Sequence, residues 1–291
     1  MGIEKYNPAA ILIYFLCVTL VAMFCRNPVL ILISLGGAAA LFLCRDGGGG
    51  VRTHAAFFGL FIIMALINPL FSHNGATVLF VVNNNPVTAE ALIYGVFSSA
   101  LIIAVLYWFR SFSLIMTSDR LLYVFGAASP KLALILSMAL RYIPLFKKQA
   151  TRTLRTQRAL GLYTDNNIID TARGSGRVLS VMVTWALENG IITADSMSAR
   201  GYASGKRSSF SLYRFGKRDA AFVLSVLVLF AVPFATALTG LLEVRWYPIV
   251  QPPPASAAVL TAYVCYALLA FLPAVIETGE DIKWKYLRSK I

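Results

Sequence analysis

Charge is what this sequence has least of. Asp, Glu, Lys and Arg together make up 13% of its 291 residues, whereas 58% are hydrophobic. Soluble domains carry roughly a quarter of their residues as charges, so a bilayer is indicated as the main solvent. Histidine is nearly missing: His54 and His73 stand alone at the ends of apolar runs, which speaks against a metal centre. The cysteines Cys17, Cys25, Cys44 and Cys265 lie in or beside apolar runs without paired spacing, and read as packing thiols rather than a disulfide framework. No Ser-His-Asp, Cys-His or paired-carboxylate arrangement stands out, so neither an enzyme nor a cofactor is indicated. The turn from Gly201 to Ser208 superficially resembles a phosphate loop, but it fails the G-x4-GK[ST] spacing and follows a helix instead of a strand. ATP binding by this chain is not expected. The apolar runs hold almost no ionisable residues and show no internal repeat. The alternative of a self-contained secondary transporter or channel would need both.

What is present is a series of apolar runs long enough to cross about 30 Å of hydrocarbon as helices. They cover roughly 9–26, 27–44, 55–72, 90–109, 219–242 and 256–276, with the break at Arg26-Asn27-Pro28 the least marked. The predicted fold is therefore an all-α integral membrane protein with about six transmembrane helices. The first run, lacking a basic leader and a small-residue cleavage site, is expected to be a retained span. Four domains follow: membrane spans 1–4 over 1–110, a large insert over 111–218, spans 5–6 over 219–276 and a basic tail over 277–291. Placing the amino terminus inside leaves Arg26 and Arg245 as the only outer cations, with the other 24 of 26 inside. That distribution predicts a plasma-membrane protein with both termini cytoplasmic. The stretch "RDGGGGVR" (45–52) reads as a flexible inner loop.

The insert changes the character of the chain. From 110 to 218 it holds 17 basic residues against five acidic ones, too charged for lipid and too apolar for a disordered tail. A first helix starts near "TSDRLLYVFG", with Ser118 or Asp119 as candidate cap. A second, over 129–162, is capped by Ser129 with Pro130 at its first position, and Pro144 should break or kink it. Beyond Pro144, steps of 100° gather Lys147, Lys148, Arg152, Arg155 and Arg158 into a sector of about 140°. Phe146, Ala150, Leu154, Gln157 and Leu160 fill the other side. The basic face suits anionic headgroups, worth about 1 kcal/mol per residue near the surface; no nucleic-acid recognition motif is present.

A third helix, over 176–201, is apolar nearly all round, with a narrow polar stripe of Thr184, Glu188 and Asp195. Such a helix must be covered by protein or lipid. Glu188 and Asp195 are candidates to pair with the basic face. Arg200 projects away from that stripe, and Gly201 sits where a left-handed helix stop is expected, which presents a cation and free carbonyls together at an exposed tip.

The phrases "LSMALRYIPLF", "TQRALGL", "MVTWALENGIITADSM" and "SMSARGYASGKRSSF" occur in order, and with them the chain resembles the transmembrane T component of energy-coupling factor (ECF) transporters. The resemblance covers most of 110–218 and, in topology, the whole chain. It implies a cytoplasmic coupling domain of long crossed helices. Each of two helix ends would carry a short motif centred on Arg, often Ala-Arg-Gly, that docks on one of two ATP-binding cassette ATPase subunits. It also implies a substrate-binding S component held against the same helices, for uptake of a vitamin or transition-metal ion. Ala199, Arg200 and Gly201 match the second motif outright. The first departs from it: Ala159, Leu160 and Gly161 place Leu where the family often has Arg. That contact would then be apolar, or rely on Arg155 and Arg158, which lie on the opposite side of the helix.

Overall fold

The structure is a computed structural model that describes residues 2–46, 51–71, 75–82, 85–162, 168–202, 204–205, 213–247, 251–254 and 256–290. His73, the glycines of 47–50 and the basic turn 206–208 lie outside the described residues. After a short 3-10 turn at Ile3–Lys5 come α1 (Pro8–Phe24), α2 (Pro28–Asp46), α3 (Val51–Phe71), strands β1 (Val78–Val82) and β2 (Asn85–Thr88), α4 (Ala89–Ile115), α5 (Ser118–Ala128), α6 (Pro130–Ala159), α7 (Ile168–Ala199), α8 (Lys217–Leu238) and α9 (Ala257–Arg288). The protein is an all-α integral membrane protein, as its composition demands. Helices α2, α3, α4, α8 and α9 are each long and apolar enough to span a bilayer, and α1 is an apolar helix of 17 residues, at the short end of the spanning range. Among the described residues, an antiparallel hairpin of β1 and β2, paired from Val78 with Thr88 to Val82 with Asn85, departs from this inside a stretch that reads as loop.

Two compact units emerge: Met1–Leu121 with Tyr213–Ile291, and Leu122–Leu212. In the first, the break between α1 and α2 has a clear cause. Asn27 accepts the Val29 N–H at 3.0 Å and so caps α2, while its amide donates to the Leu242 carbonyl at 3.1 Å and the Tyr263 hydroxyl at 2.9 Å. Pro28 then fills the first helical position, where no N–H is needed. Small residues let the helices close on one another. A Cβ on Gly37 would meet Ala270 at 2.8 Å, and one on Gly95 the Ala65 carbonyl at 2.9 Å, the close approach expected of membrane helices.

Several buried polar groups in this unit find partners inside it. Trp108 donates to Ser34 at 3.0 Å and Tyr14 to the Leu269 carbonyl at 3.2 Å, within a core that includes Phe15, Phe42 and Tyr266. Near the amino terminus, Glu277 accepts the N–H groups of Gly2 and Ile3 at 3.1 and 3.2 Å and pairs with Arg45, which also pairs with Glu4. Large apolar side chains such as Phe24, Leu43, Phe58 and Leu66 point outward, as a lipid-facing surface requires.

The second unit is built on α6 and α7. Tyr142 meets Thr193 at 2.8 Å, and Phe146 packs edge-on against Trp185 at 5.5 Å. Partners that rise on one helix fall on the other, so the pair runs antiparallel. Pro144 does not break α6, which continues through it to Ala159. Ser129 is the backbone cap of α6 but its side chain makes no capping bond. Ser118 is already the first residue of α5, and the carbonyl at the cap position that accepts the Leu121 N–H belongs to Thr117. The helix predicted from 176 begins eight residues earlier, at Ile168.

Candidate docking site at two capped helix tips

Helices α6 and α7 end in the same way. At the first tip, Leu160 is the C-cap, Gly161 turns left-handed at φ 69°, and two reverse bonds close the end: Gly161 N–H to the Arg158 carbonyl and Leu162 N–H to the Gln157 carbonyl, both 3.0 Å. At the second, Arg200 takes the cap position, Gly201 turns at φ 74°, and the bonds run from Gly201 to Ser198 and from Tyr202 to Met197, again 3.0 Å. Both are complete Schellman motifs, in which a residue without a Cβ is favoured at the left-handed position. The motif satisfies two carbonyls and leaves the cap side chain outside the helix cylinder.

All six residues of the two Ala-X-Gly triplets, Ala159, Leu160, Gly161, Ala199, Arg200 and Gly201, are exposed, as are Arg155 and Arg158. Leu160 is 66% exposed, an unusual place for leucine. Its N–H still bonds the Thr156 carbonyl at 3.1 Å, so Leu160 keeps the helical step onto the apolar side, which is open at this end of the helix. The predicted faces of α6 otherwise form, with Lys147, Lys148 and Arg152 exposed and Gln157 buried. Because the helices are antiparallel, the tips lie at opposite ends. Roughly 23 residues of α7 separate the level of the first tip, marked by Arg177, from Arg200, or about 35 Å.

One contact at the site escaped the sequence reading. The Arg177 guanidinium donates to the Leu162 carbonyl at 2.7 Å, tying the first tip back to α7. Arg177 follows Arg173 by one turn at the basic start of α7, and its role becomes visible only once the antiparallel pairing is known. Conversely, among the described residues neither Glu188 nor Asp195 pairs with the basic face; both are exposed, and the helices meet through Tyr142, Phe146, Trp185 and Thr193. The helices also leave apolar stripes open. Leu132, Ile135 and Ile143 are exposed on α6, and Leu179, Val183, Leu187 and Ile191 on α7.

Spanning helices combined with a long antiparallel pair ending in matched, exposed caps define a multi-pass membrane protein with two presented helix tips. The chain belongs to the CbiQ family, described as cobalt transport protein, whose model matches residues 3–212. It is similar to the energy-coupling factor transporter transmembrane protein EcfT of Bacillus selenitireducens, with 26% identity over 230 residues, 73% of this chain and 84% of that protein. The EcfT proteins of Lacticaseibacillus paracasei and Listeria innocua are 31% and 32% identical over 101 and 106 residues. Those matches take in 34% and 36% of this chain, and span only 38% and 40% of the relatives' length.

Proposed function

We propose that this chain is the T component of an ECF-type importer, transmitting motion from two ATPase subunits to an S component that carries a vitamin or transition-metal ion. The observation that carries this reading is the pair of helix ends built on one backbone motif, set about 35 Å apart along the helix pair, each offering one exposed cap side chain. Two tips of one design suit two copies of one kind of partner. In this reading Leu122–Leu212 is the cytoplasmic coupling domain, both termini face the cytoplasm of the plasma membrane, and ATP hydrolysis belongs to the partner chains.

At the second tip, Arg200 would anchor an ion pair. Ala199 and Gly201 would allow close docking, and the last carbonyls would accept hydrogen bonds from the partner. At the first tip Leu160 would enter an apolar pocket, with Arg155 and Arg158 beside it. The open apolar stripes of α6 and α7 would receive the S component. The chain can drive its partners between states only if it contacts those states differently, and rigid helices with fixed tips provide such contacts. Purification in mild detergent tests the reading. Two P-loop ATPases and a small membrane protein should co-purify, whereas substrate transport by the purified chain alone would overturn it.

A further inference from the structure

The chain leaves the first compact unit after Leu121 and returns to it at Tyr213. Beside each passage stands a residue bonded to the same short segment, residues 2–7. On the outgoing side α4 ends at Ile115 and α5 begins at Ser118. There Arg120 donates to the Ile115 carbonyl at 2.9 Å and to the Glu4 carbonyl at 3.2 Å, which joins a free carbonyl at the end of α4 to the amino-terminal turn. On the returning side the buried Asp219 accepts the Gly216 N–H and the Asn7 N–H, both at 2.8 Å. One of its oxygens thus caps α8, and the other holds the turn. Tyr6 adds to this contact, its ring 4.6 Å from that of Phe222 on α8.

Glu4 and Asn7 are not carried by α5 or α8 alone. The turn closes on itself through the Lys5 N–H on the Gly2 carbonyl at 3.4 Å and the Tyr6 N–H on the Ile3 carbonyl at 3.2 Å. Two further helices fix it. Glu277 of α9 accepts the Gly2 and Ile3 N–H groups, Glu280 of α9 pairs with Lys5, and Arg45 of α2 pairs with Glu4. Ile3 is fully buried, Asn7 is buried, and a Cβ on Gly2 would meet the Ile276 carbonyl at 2.9 Å. A segment packed this closely transmits a shift at one bond to the next.

We infer that residues 2–7 form a clamp that couples the two chain passages to each other, with Arg120 and Asp219 as its positioning residues. Opening the outgoing passage displaces Glu4, and with it Asn7 and the start of α8; opening the returning passage does the reverse. Under the proposed function the turn becomes the joint through which movement of the coupling domain enters the membrane helices, a consequence that rests on that reading. Two separate local caps would behave otherwise. Arg120 would then serve α4 and α5, Asp219 would serve α8, and neither passage would respond to the other.

Hydrogen exchange on the full chain in nanodiscs tests the clamp without any ATPase, so its outcome is separate from that of the proposed function. The reporters are the Leu121 amide, bonded to the Thr117 carbonyl at 3.0 Å, and the Ala220 amide, bonded to the Gly216 carbonyl at 3.1 Å. The Leu260 amide, bonded to the Ser256 carbonyl at the start of α9, is the control. Arg120→Ala should speed exchange at Leu121 about fivefold, the effect of one hydrogen bond. It should also speed Ala220, which it does not touch, by about twofold or more, and leave Leu260 unchanged. Arg120→Lys, which keeps a donor for the carbonyls, should return Ala220 toward the wild-type rate. A faster Leu121 with an unchanged Ala220 would overturn the inference and leave Arg120 a local cap; an equal rise at Leu260 would overturn it as general loosening. Glu277→Ala, at neither passage, should speed Leu121 and Ala220 together, and wild-type exchange at either would overturn the clamp. Should Glu277→Ala not fold, Arg120→Ala decides.

Discussion

Leu160 and Arg200 hold the same place in two copies of one motif: each is a helix C-cap, each follows an alanine, and each precedes a glycine at positive φ. The backbone presentation is thus shared, and the chemistry presented differs. One tip offers an exposed hydrocarbon, the other a fixed cation that also complements the negative end of its helix. The two docking contacts should therefore respond differently to mutation and to salt.

Arg200→Glu replaces the cation with a like charge for any carboxylate in the partner and opposes the helix dipole. We expect at least a tenfold loss of affinity for one ATPase, about 1.4 kcal/mol or more, with membrane insertion unchanged. Native mass spectrometry of the purified complex should show one ATPase lost and one kept. Wild-type stoichiometry together with wild-type uptake would remove Arg200 from the site.

Salt separates the tips without mutation. Raising ionic strength from about 0.1 to about 1 M shortens the Debye length from about 10 to about 3 Å. Binding through Arg200 should weaken over that range, while binding through Leu160 should hold or strengthen. A chain carrying Arg200→Glu, which isolates the first tip, should then bind its remaining ATPase with little salt dependence. Steep weakening with salt would instead assign that contact to Arg155 and Arg158.

The two glycines should tolerate substitution poorly. At φ 69° and 74° any L side chain is strained, by about 1–2 kcal/mol, and more for a β-branched one. Gly161 has open space around a would-be Cβ, whereas at Gly201 it would meet the Ser204 hydroxyl at 3.0 Å. Alanine should thus cost slightly more at 201 than at 161, and valine should fray either tip. Hydrogen exchange at the Leu162 and Tyr202 amides, which close the motifs, would measure this. Removing the Arg177 bond by Arg177→Ala should speed exchange at the first tip alone, about fivefold for a bond worth about 1 kcal/mol.

Much of this was legible in the sequence because the signals were local. Apolar length placed the spanning helices, and the Ala-X-Gly triplets placed both tips. The basic face of α6 followed from 100° steps. What failed depended on partners distant along the chain. The exposure of Leu160 on the apolar side was not legible, because the turn at Gly161 that ends this face is settled only when Leu162 closes on Gln157. Glu188 and Asp195 looked like partners for the basic face by charge alone, yet Tyr142 and Trp185 take the contact. The split at Asn27 was weakly marked since its carbonyl and hydroxyl acceptors, on Leu242 and Tyr263, lie more than 200 residues away.

Two ion pairs on α9 should differ sharply in what they contribute to stability. Lys5 and Glu280 lie 2.6 Å apart, but the lysine side chain is 60% exposed, so water and salt screen the pair and Glu280→Gln should cost at most about 1 kcal/mol. Glu277 is different. It is 4% exposed, accepts two backbone N–H groups and faces an Arg45 whose side chain is 13% exposed. Replacing it with alanine leaves two amide donors without their acceptor in a site water reaches poorly and leaves Arg45 with Glu4 alone, which should cost about 1–3 kcal/mol. Glu277→Gln restores an acceptor for the amides but not the charge, and should fall between. Thermal unfolding in detergent would rank the variants. A Glu277→Ala protein as stable as Glu280→Gln would show that the amino-terminal turn is not held by this carboxylate.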